Sequence, residues 1–177
     1  MKLLALRAAV FALVIGSFST TATALQCVPF AREMSGIEIH GNARTWWRQA
    51  AGLYDRGTAP QIGAVMAFKP TRAMPIGHVA TVSQIVSDRE VLVSHANWSL
   101  IHGHRGQIER NVRVLDVSQA GDWSKVRVWY APLQDLGTST YPLYGFIYAG
   151  KKAPTPRDTS PLIGPDIYRL AALESAV

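Results

Sequence analysis

The chain has 177 residues, of which 48% are hydrophobic and 17% are charged, and its formal net charge is +6. This composition excludes a disordered, collagen-like or coiled-coil protein and predicts one globular domain with a buried core. The positive charge is not concentrated in a Lys/Arg block, so it suits an anionic polymer such as a cell wall and does not indicate a nucleic-acid partner.

The N-terminal segment has the pattern of a secretory signal peptide. Two basic residues precede a short apolar run at residues 8–15, and Ala22 and Ala24 fit the small positions of a cleavage site. The apolar run is too short to cross a bilayer comfortably. We therefore expect residues 1–24 to be a signal peptide, the protein to be secreted or periplasmic, and no stable membrane span to remain after cleavage.

Two helices are predicted next. Residues 27–34 form the first, which Gly36 ends, and Cys27 lies at its N-terminus. The second covers residues 42–54 and begins at the capping residue Asn42. Its apolar positions recur at helical spacing, which predicts a stripe that packs on a sheet.

The rest of the domain has the apolar runs and turn signals of antiparallel strands. Six strands are predicted, at residues 64–68, 78–86, 91–97, 112–117, 125–130 and 143–149. Residues 151–177 are rich in Pro and predict a linker with a short C-terminal tail. The domain itself is expected to cover residues 25–150.

Cys27 is the single cysteine of the chain. It could be a lipid anchor, half of an intermolecular disulfide, a buried thiol or a catalytic nucleophile. Ala24 and Gln26 depart from the residues of a lipoprotein signal at their positions. The start of a helix lowers a thiol pKa, because the helix dipole favours the anion there. This position favours the nucleophile.

A thiol nucleophile needs an imidazole that accepts its proton and later protonates the leaving amine. His78 is the best candidate, because it begins a predicted strand directly after Gly77 and can face a helix N-terminus there. By spacing alone, a histidine at the start of a strand is more often a structural residue.

Four segments together resemble a known family. They are residues 26–32 (QCVPFAR), 63–68 (GAVMAF), 77–80 (GHVA) and 94–98 (SHANW). In this order they resemble the CHAP family, the cysteine, histidine-dependent amidohydrolases and peptidases. The resemblance implies an α+β, papain-like fold with N-terminal helices packed on an antiparallel sheet of about six strands.

The same resemblance implies that the protein hydrolyses an amide bond of peptidoglycan through an acyl-enzyme on Cys27, without a cofactor. The bond is either the N-acetylmuramoyl-L-alanine amide or a peptide bond of the stem. His102 and His104 have the spacing of two metal ligands, but no third ligand is evident, so no metal site is predicted. These two residues are expected on a loop at the rim of the cleft.

The third catalytic residue is less clear from the sequence, since His95 stands where the family commonly has Glu. If residues 86 and 91 pair across the hairpin, Asn97 lies opposite Ala80 and diagonal to His78, and His95 lies opposite Val82. Asn97 is therefore predicted to orient His78, with His95 as the alternative.

The oxyanion of the reaction needs hydrogen-bond donors. The backbone N–H of Cys27 lies at a helix start, where it has no partner within the helix. Gln26 is a candidate second donor.

Two other functions stay open at this point. A non-hydrolytic wall-binding or envelope-scaffolding protein could keep the fold with a weak site, since His95 replaces the common acid. A small-molecule amide hydrolase or transferase is the third hypothesis. Whether a protein partner must activate the enzyme also stays open.

Overall fold

The computed structural model describes residues 26–151, so the predicted signal peptide and the predicted tail beyond residue 151 lie outside the described residues. Most of the described chain is β-structure. Its elements are α1 (Cys27–Ser35), α2 (Ala43–Gln49), β1 (Tyr54–Gly57), β2 (Val65–Phe68), β3 (His78–Ser87), β4 (Glu90–Ala96), β5 (Ile108–Asp116), β6 (Lys125–Tyr130), β7 (Asp135–Leu136) and β8 (Tyr141–Lys151). Within residues 26–151, no helix is long and apolar enough to cross a membrane.

Six of the strands form a closed antiparallel barrel in the order β2, β3, β4, β5, β6 and β8. The long strand β8 closes it, because one stretch of β8 pairs with β2 and its first residues pair with β6. Strands β1 and β7 extend the barrel wall beside β8 and β6. The two helices cover part of the outside of this barrel.

The predicted fold class is therefore wrong. An α+β, papain-like arrangement of helices on a sheet of about six strands was expected, whereas the described chain is mostly β and its sheet closes on itself. The local pattern predicts the six strands of the barrel but not the pairing of β8 with two strands that are far apart in the sequence. Closure depends on that long-range pairing.

Strand β2 shows why both faces of the barrel wall are apolar. All four of its residues are buried. Met66 and Phe68 belong to the core inside the barrel, and Val65 and Ala67 belong to the core between the barrel and the helices. Side chains alternate across a strand, so a strand between two cores needs a continuous apolar run.

Helix α1 has nearly the predicted bounds and ends at Ser35, and the N–H of the capping residue Gly36 donates a hydrogen bond to the carbonyl of Arg32. Helix α2 is shorter than predicted. It ends at Gln49, and the last residue of the predicted helix, Tyr54, instead begins β1. Leu53 is 56% exposed, so it does not continue the apolar stripe.

The six predicted strands are all present, and the bounds of β6 match the prediction at both ends. Strands β1 and β7 were not predicted. They have four and two residues, and runs this short carry too little alternation to be recognised.

The hairpin of β3 and β4 changes register between its turn and its open end. Near the turn Ser87 pairs with Glu90, but farther along Thr81 pairs with Ser94. Two irregularities in the ladder produce this change, and each introduces an offset of one residue between the strands. Because the two offsets add up to two residues, each side chain stays on the same face of its strand but lies opposite a different residue of the other strand.

The predicted register at the open end is therefore wrong. Val82 pairs with Val93 and not with His95, so continuation of the same register places His95 opposite Ala80. Strand β4 ends at Ala96, and Asn97 follows it with a φ of 65°. The ladder position diagonal to His78, which the prediction gave to Asn97, thus belongs to His95.

Gly77 positions the start of β3 and should tolerate no side chain. A Cβ there would lie 2.8 Å from the backbone nitrogen of Arg44, whereas a Cβ at Gly36 would meet nothing within 4 Å. The two glycines have nearly the same φ, 71° and 70°. We expect Gly36→Ala to lower the free energy of unfolding by about 1 kcal/mol through backbone strain alone.

We expect Gly77→Ala to cost a further ~1–3 kcal/mol, because the clash with Arg44 adds to the strain. Urea denaturation of both variants measures the difference. Equal costs for the two substitutions would contradict the steric role of Gly77.

Candidate active site

A cavity of about 400 Å³ lies at one end of the barrel, where β3 begins and β4 and β6 end. It brings together residues from the start of α1, from the loop before β3, from the loop after β4, from the end of β6 and from the start of β8. Its walls are formed by Gln26, Cys27, residues 73–76, Gly77, His78, Asn97, Trp98, Arg105, Tyr130 and Tyr141. Four of the five predicted site residues therefore share one cavity.

Cys27 is the first residue of α1, and its side chain is buried against the barrel wall, with 8% of the residue exposed. Backbone groups of Val79, Val28 and Cys27 itself hydrogen-bond its sulfur and favour the thiolate. Burial has the larger effect and raises the pKa of the Cys27 thiol above its ordinary value. The expected lowering by the helix start is thus outweighed by desolvation.

His78 is the first residue of β3, and its side chain faces the inside of the barrel. Its Nε2 lies 3.1 Å from Nδ1 of His95, within hydrogen-bond distance. Its ring also packs against Phe68 and Trp98, with ring centroids 5.5 Å and 4.9 Å away. His78 is therefore held on one side by a hydrogen bond and on two others by aromatic rings.

His95 lies behind His78, and 1% of the residue is exposed. Its ring stacks on Trp98 at 5.4 Å with an interplanar angle of 27°, and Trp98 is fixed by a hydrogen bond from Nε1 to the carbonyl of Trp129. Nε2 of His95 has no hydrogen-bond partner among the described residues. The aromatic packing excludes water from the bond between the two histidines.

Both histidines are neutral at neutral pH. Burial, followed by the neighbouring His95 and the positive charge of Arg105, lowers the pKa of His78 well below its usual value. Burial lowers the pKa of His95 to about 3. His78 can therefore accept a proton, because no proton occupies its acceptor nitrogen beforehand.

Asn97 does not bind His78 in the structure. Its Nδ2 donates a hydrogen bond of 2.8 Å to Oε1 of Gln26, the residue that precedes α1. The left-handed backbone of Asn97 turns the chain out of β4 at this point. The hydrogen bond to His78 thus involves His95, which the sequence gave as the alternative, and Asn97 contacts the candidate oxyanion residue.

Sequence reasoning did not identify Arg105, Tyr130 and Tyr141 as residues of the cavity. Tyr130 and Tyr141 end β6 and begin β8, so their meeting follows from barrel closure. Among the described residues, no three His, Cys, Asp or Glu side chains are placed to hold a metal ion. His102 and His104 are exposed and lie in a tight turn of the loop after β4.

Comparison with known proteins relates part of the chain to one protein family. No curated protein matches the chain. The CHAP domain family matches residues 17–97, a range that includes Cys27, His78, His95 and Asn97. This match confirms the resemblance predicted from the motifs, and CHAP domains are generally hydrolases.

Proposed function

We propose that the protein is a secreted or periplasmic cysteine hydrolase that cleaves an amide bond of peptidoglycan. The bond is either the N-acetylmuramoyl-L-alanine amide or a peptide bond of the stem. One observation carries the proposal: Cys27 and His78 line the same cavity, and the far nitrogen of His78 is engaged by the buried His95.

The hydrogen bond to His95 determines which nitrogen of His78 can react. Since Nε2 of His78 faces His95, Nδ1 is the nitrogen left for the thiol of Cys27. A proton on Nε2 of His78 makes Nδ1 an acceptor and requires Nδ1 of His95 to accept the hydrogen bond. His95 then carries its own proton on the buried Nε2. This is the tautomer pair in which His78 can act as a base.

The reaction proceeds in two steps. As the sulfur of Cys27 attacks the substrate carbonyl carbon, the thiol proton passes to His78, and His78 then gives this proton to the leaving amine as the C–N bond breaks. In the second step His78 takes a proton from water, whose oxygen attacks the thioester. The proton returns to the sulfur, which leaves as the thiol and releases a carboxylic acid.

His95 is a positioning residue in this scheme. It accepts the hydrogen bond of His78, keeps the ring in one tautomer and one orientation, and stays neutral. A carboxylate in its place would stabilise the imidazolium by its charge, whereas His95 does so only by hydrogen bonding. His78 is consequently a weaker base in the free protein and a stronger acid toward the leaving amine.

The oxyanion is stabilised by the backbone N–H of Cys27 and by the side-chain amide of Gln26. The hydrogen bond from Asn97 to Oε1 of Gln26 fixes the orientation of that amide. Since Asn97 binds the oxygen of this amide, it also sets the direction in which the N–H groups on Nε2 of Gln26 point. A fixed donor costs no reorganisation when negative charge develops, and in other hydrolases one such donor contributes ~2.7–4 kcal/mol.

Digestion of purified peptidoglycan tests the proposed reaction. We expect the protein to release new muropeptides or stem peptides, which mass spectrometry identifies together with the bond that was cut. Cys27→Ala should abolish release, and His78→Ala should slow it by about 10²–10⁴-fold because the proton carrier is lost.

His40→Ala is the matched control for His78→Ala. His40 is an exposed histidine outside the cavity, so this variant should cleave like the unmodified protein. Wall binding without cleavage by the unmodified protein would contradict the hydrolase and favour a non-hydrolytic wall-binding protein.

The pH dependence of kcat/KM tests the role of His95. Activity needs neutral His78, whose pKa is lowered, so the acidic limb of the profile should lie below pH 6.5, the ordinary pKa of histidine. His95→Glu places a negative charge beside His78 and should move this limb upward by about 1–3 pH units. The neutral variant His95→Gln should keep the acidic limb below pH 6.5. An identical limb for both variants would refute the electrostatic role of position 95.

Alkylation with iodoacetamide reports directly on Cys27, the single cysteine of the chain. Because burial raises its pKa, the rate in the free protein should rise steeply with pH and have a midpoint above that of a free cysteine peptide. A high, constant rate between pH 6 and 8 would instead show that a thiolate and imidazolium pair exists before substrate binds.

A further inference from the structure

The active-site cavity continues into a second cavity of about 230 Å³. Both cavities contact Trp98, Arg105, Tyr130 and Tyr141, and the second is extended by the chain around residues 137–139. The two cavities thus adjoin at these shared residues, and Cys27 lines the first but not the second.

Arg105 is the one permanently charged residue among the described residues that line either cavity. No Asp or Glu of the described chain lines them. The guanidinium donates a hydrogen bond from Nη1 to the backbone carbonyl of Trp98, and it forms no ion pair with the acids within residues 26–151. Arg105 thus brings a positive charge to the cleft that no described acid balances.

The loop that carries Arg105 is fixed to the barrel at both sides. Ser99, which is fully buried, binds the carboxylate of Glu109 through its N–H at 2.8 Å and its hydroxyl at 2.6 Å. Gln107 donates to the Ser99 carbonyl, and the N–H of Ala131 donates to the Ser99 hydroxyl. These bonds tie the loop to β5 and to the end of β6, so the backbone at Arg105 is held in place before substrate binds.

We propose that Arg105 binds a free carboxylate of the peptide substrate at the junction of the two cavities. This inference rests on the proposed function and specifies its substrate as an anionic peptide. A guanidinium pairs with a carboxylate through two parallel hydrogen bonds, which fixes the orientation of the bound group as well as its affinity. The stem peptides of peptidoglycan carry such carboxylates.

Binding to an inactive variant tests the proposal without a need for turnover. Soluble muropeptides are released from peptidoglycan by a muramidase, and one half of the pool is converted to methylamides at its carboxylates. We expect Cys27→Ala to bind the untreated pool at least about tenfold more tightly than the amidated pool, as measured by calorimetry. In Cys27→Ala with Arg105→Gln this preference should disappear.

Arg48→Gln in the same Cys27→Ala background is the matched control. Arg48 is an exposed residue of α2 outside both cavities, and its loss changes the net charge equally. The preference should persist in this control. Its loss there would show a general charge effect and overturn the assignment to Arg105.

Three further results would overturn the proposal: equal affinity of Cys27→Ala for the two pools, binding of neither pool, or a preference that survives Arg105→Gln. Amidation leaves the sugars and the amide groups of the muropeptides unchanged, so equally tight binding of both pools would indicate recognition of those neutral groups instead. If Cys27→Ala prefers the untreated pool but the unmodified protein cleaves no peptidoglycan, the hydrolase is refuted and the carboxylate site is supported.

Discussion

The closure of the barrel by β8 is the constraint on which the site depends. Because β8 pairs with both β2 and β6, the start of β3 and the ends of β4 and β6 lie around one opening. The start of α1 packs on β3 beside this opening, so the first residue of the helix reaches the cavity that His78 lines. The proposed nucleophile from outside the barrel and the proposed base from inside it thereby line the same cavity. An open sheet would leave β6 and β8 free to separate, and the wall of the cleft that Tyr130 and Tyr141 form would be lost.

Desolvation dominates the chemistry of this opening. It raises the pKa of Cys27 and lowers the pKa values of His78 and His95, so each group favours its neutral form. The hydrogen bond between these two buried, neutral histidines satisfies one nitrogen of each ring, which would be costly to bury unpaired, while Nε2 of His95 has no partner among the described residues. The bond between His78 and His95 therefore serves the fold and the reaction at once. The stacked ring of Trp98 strengthens this bond by excluding water from it.

The sequence predicted which residues share the cavity better than it predicted how they are arranged. Residue types and their order predicted Cys27, His78 and the family, because these depend on local motifs that survive without knowledge of the fold. The choice between Asn97 and His95 depended on register, and two irregularities within one hairpin changed the partner of His78 without changing its face. Such irregularities leave little trace in the alternation of apolar residues. The position of Arg105 in the cavity was hidden for a related reason, since its loop contacts the end of β6, which is distant in the sequence.

The neutral resting state sets a condition on the substrate. In the proposed reaction, proton transfer from Cys27 to His78 creates a cation in a buried site, and the charge of Arg105 makes that cation less stable. The developing oxyanion compensates for part of this cost, because it forms in the same step and at short range. A carboxylate bound to Arg105 would lower the cost of forming this cation further, because it would neutralise the guanidinium. The pKa of His78 would then rise when a substrate with that carboxylate is bound. Charge recognition and base strength are then coupled through one residue, and a peptide without that carboxylate would meet a weaker base as well as a weaker site.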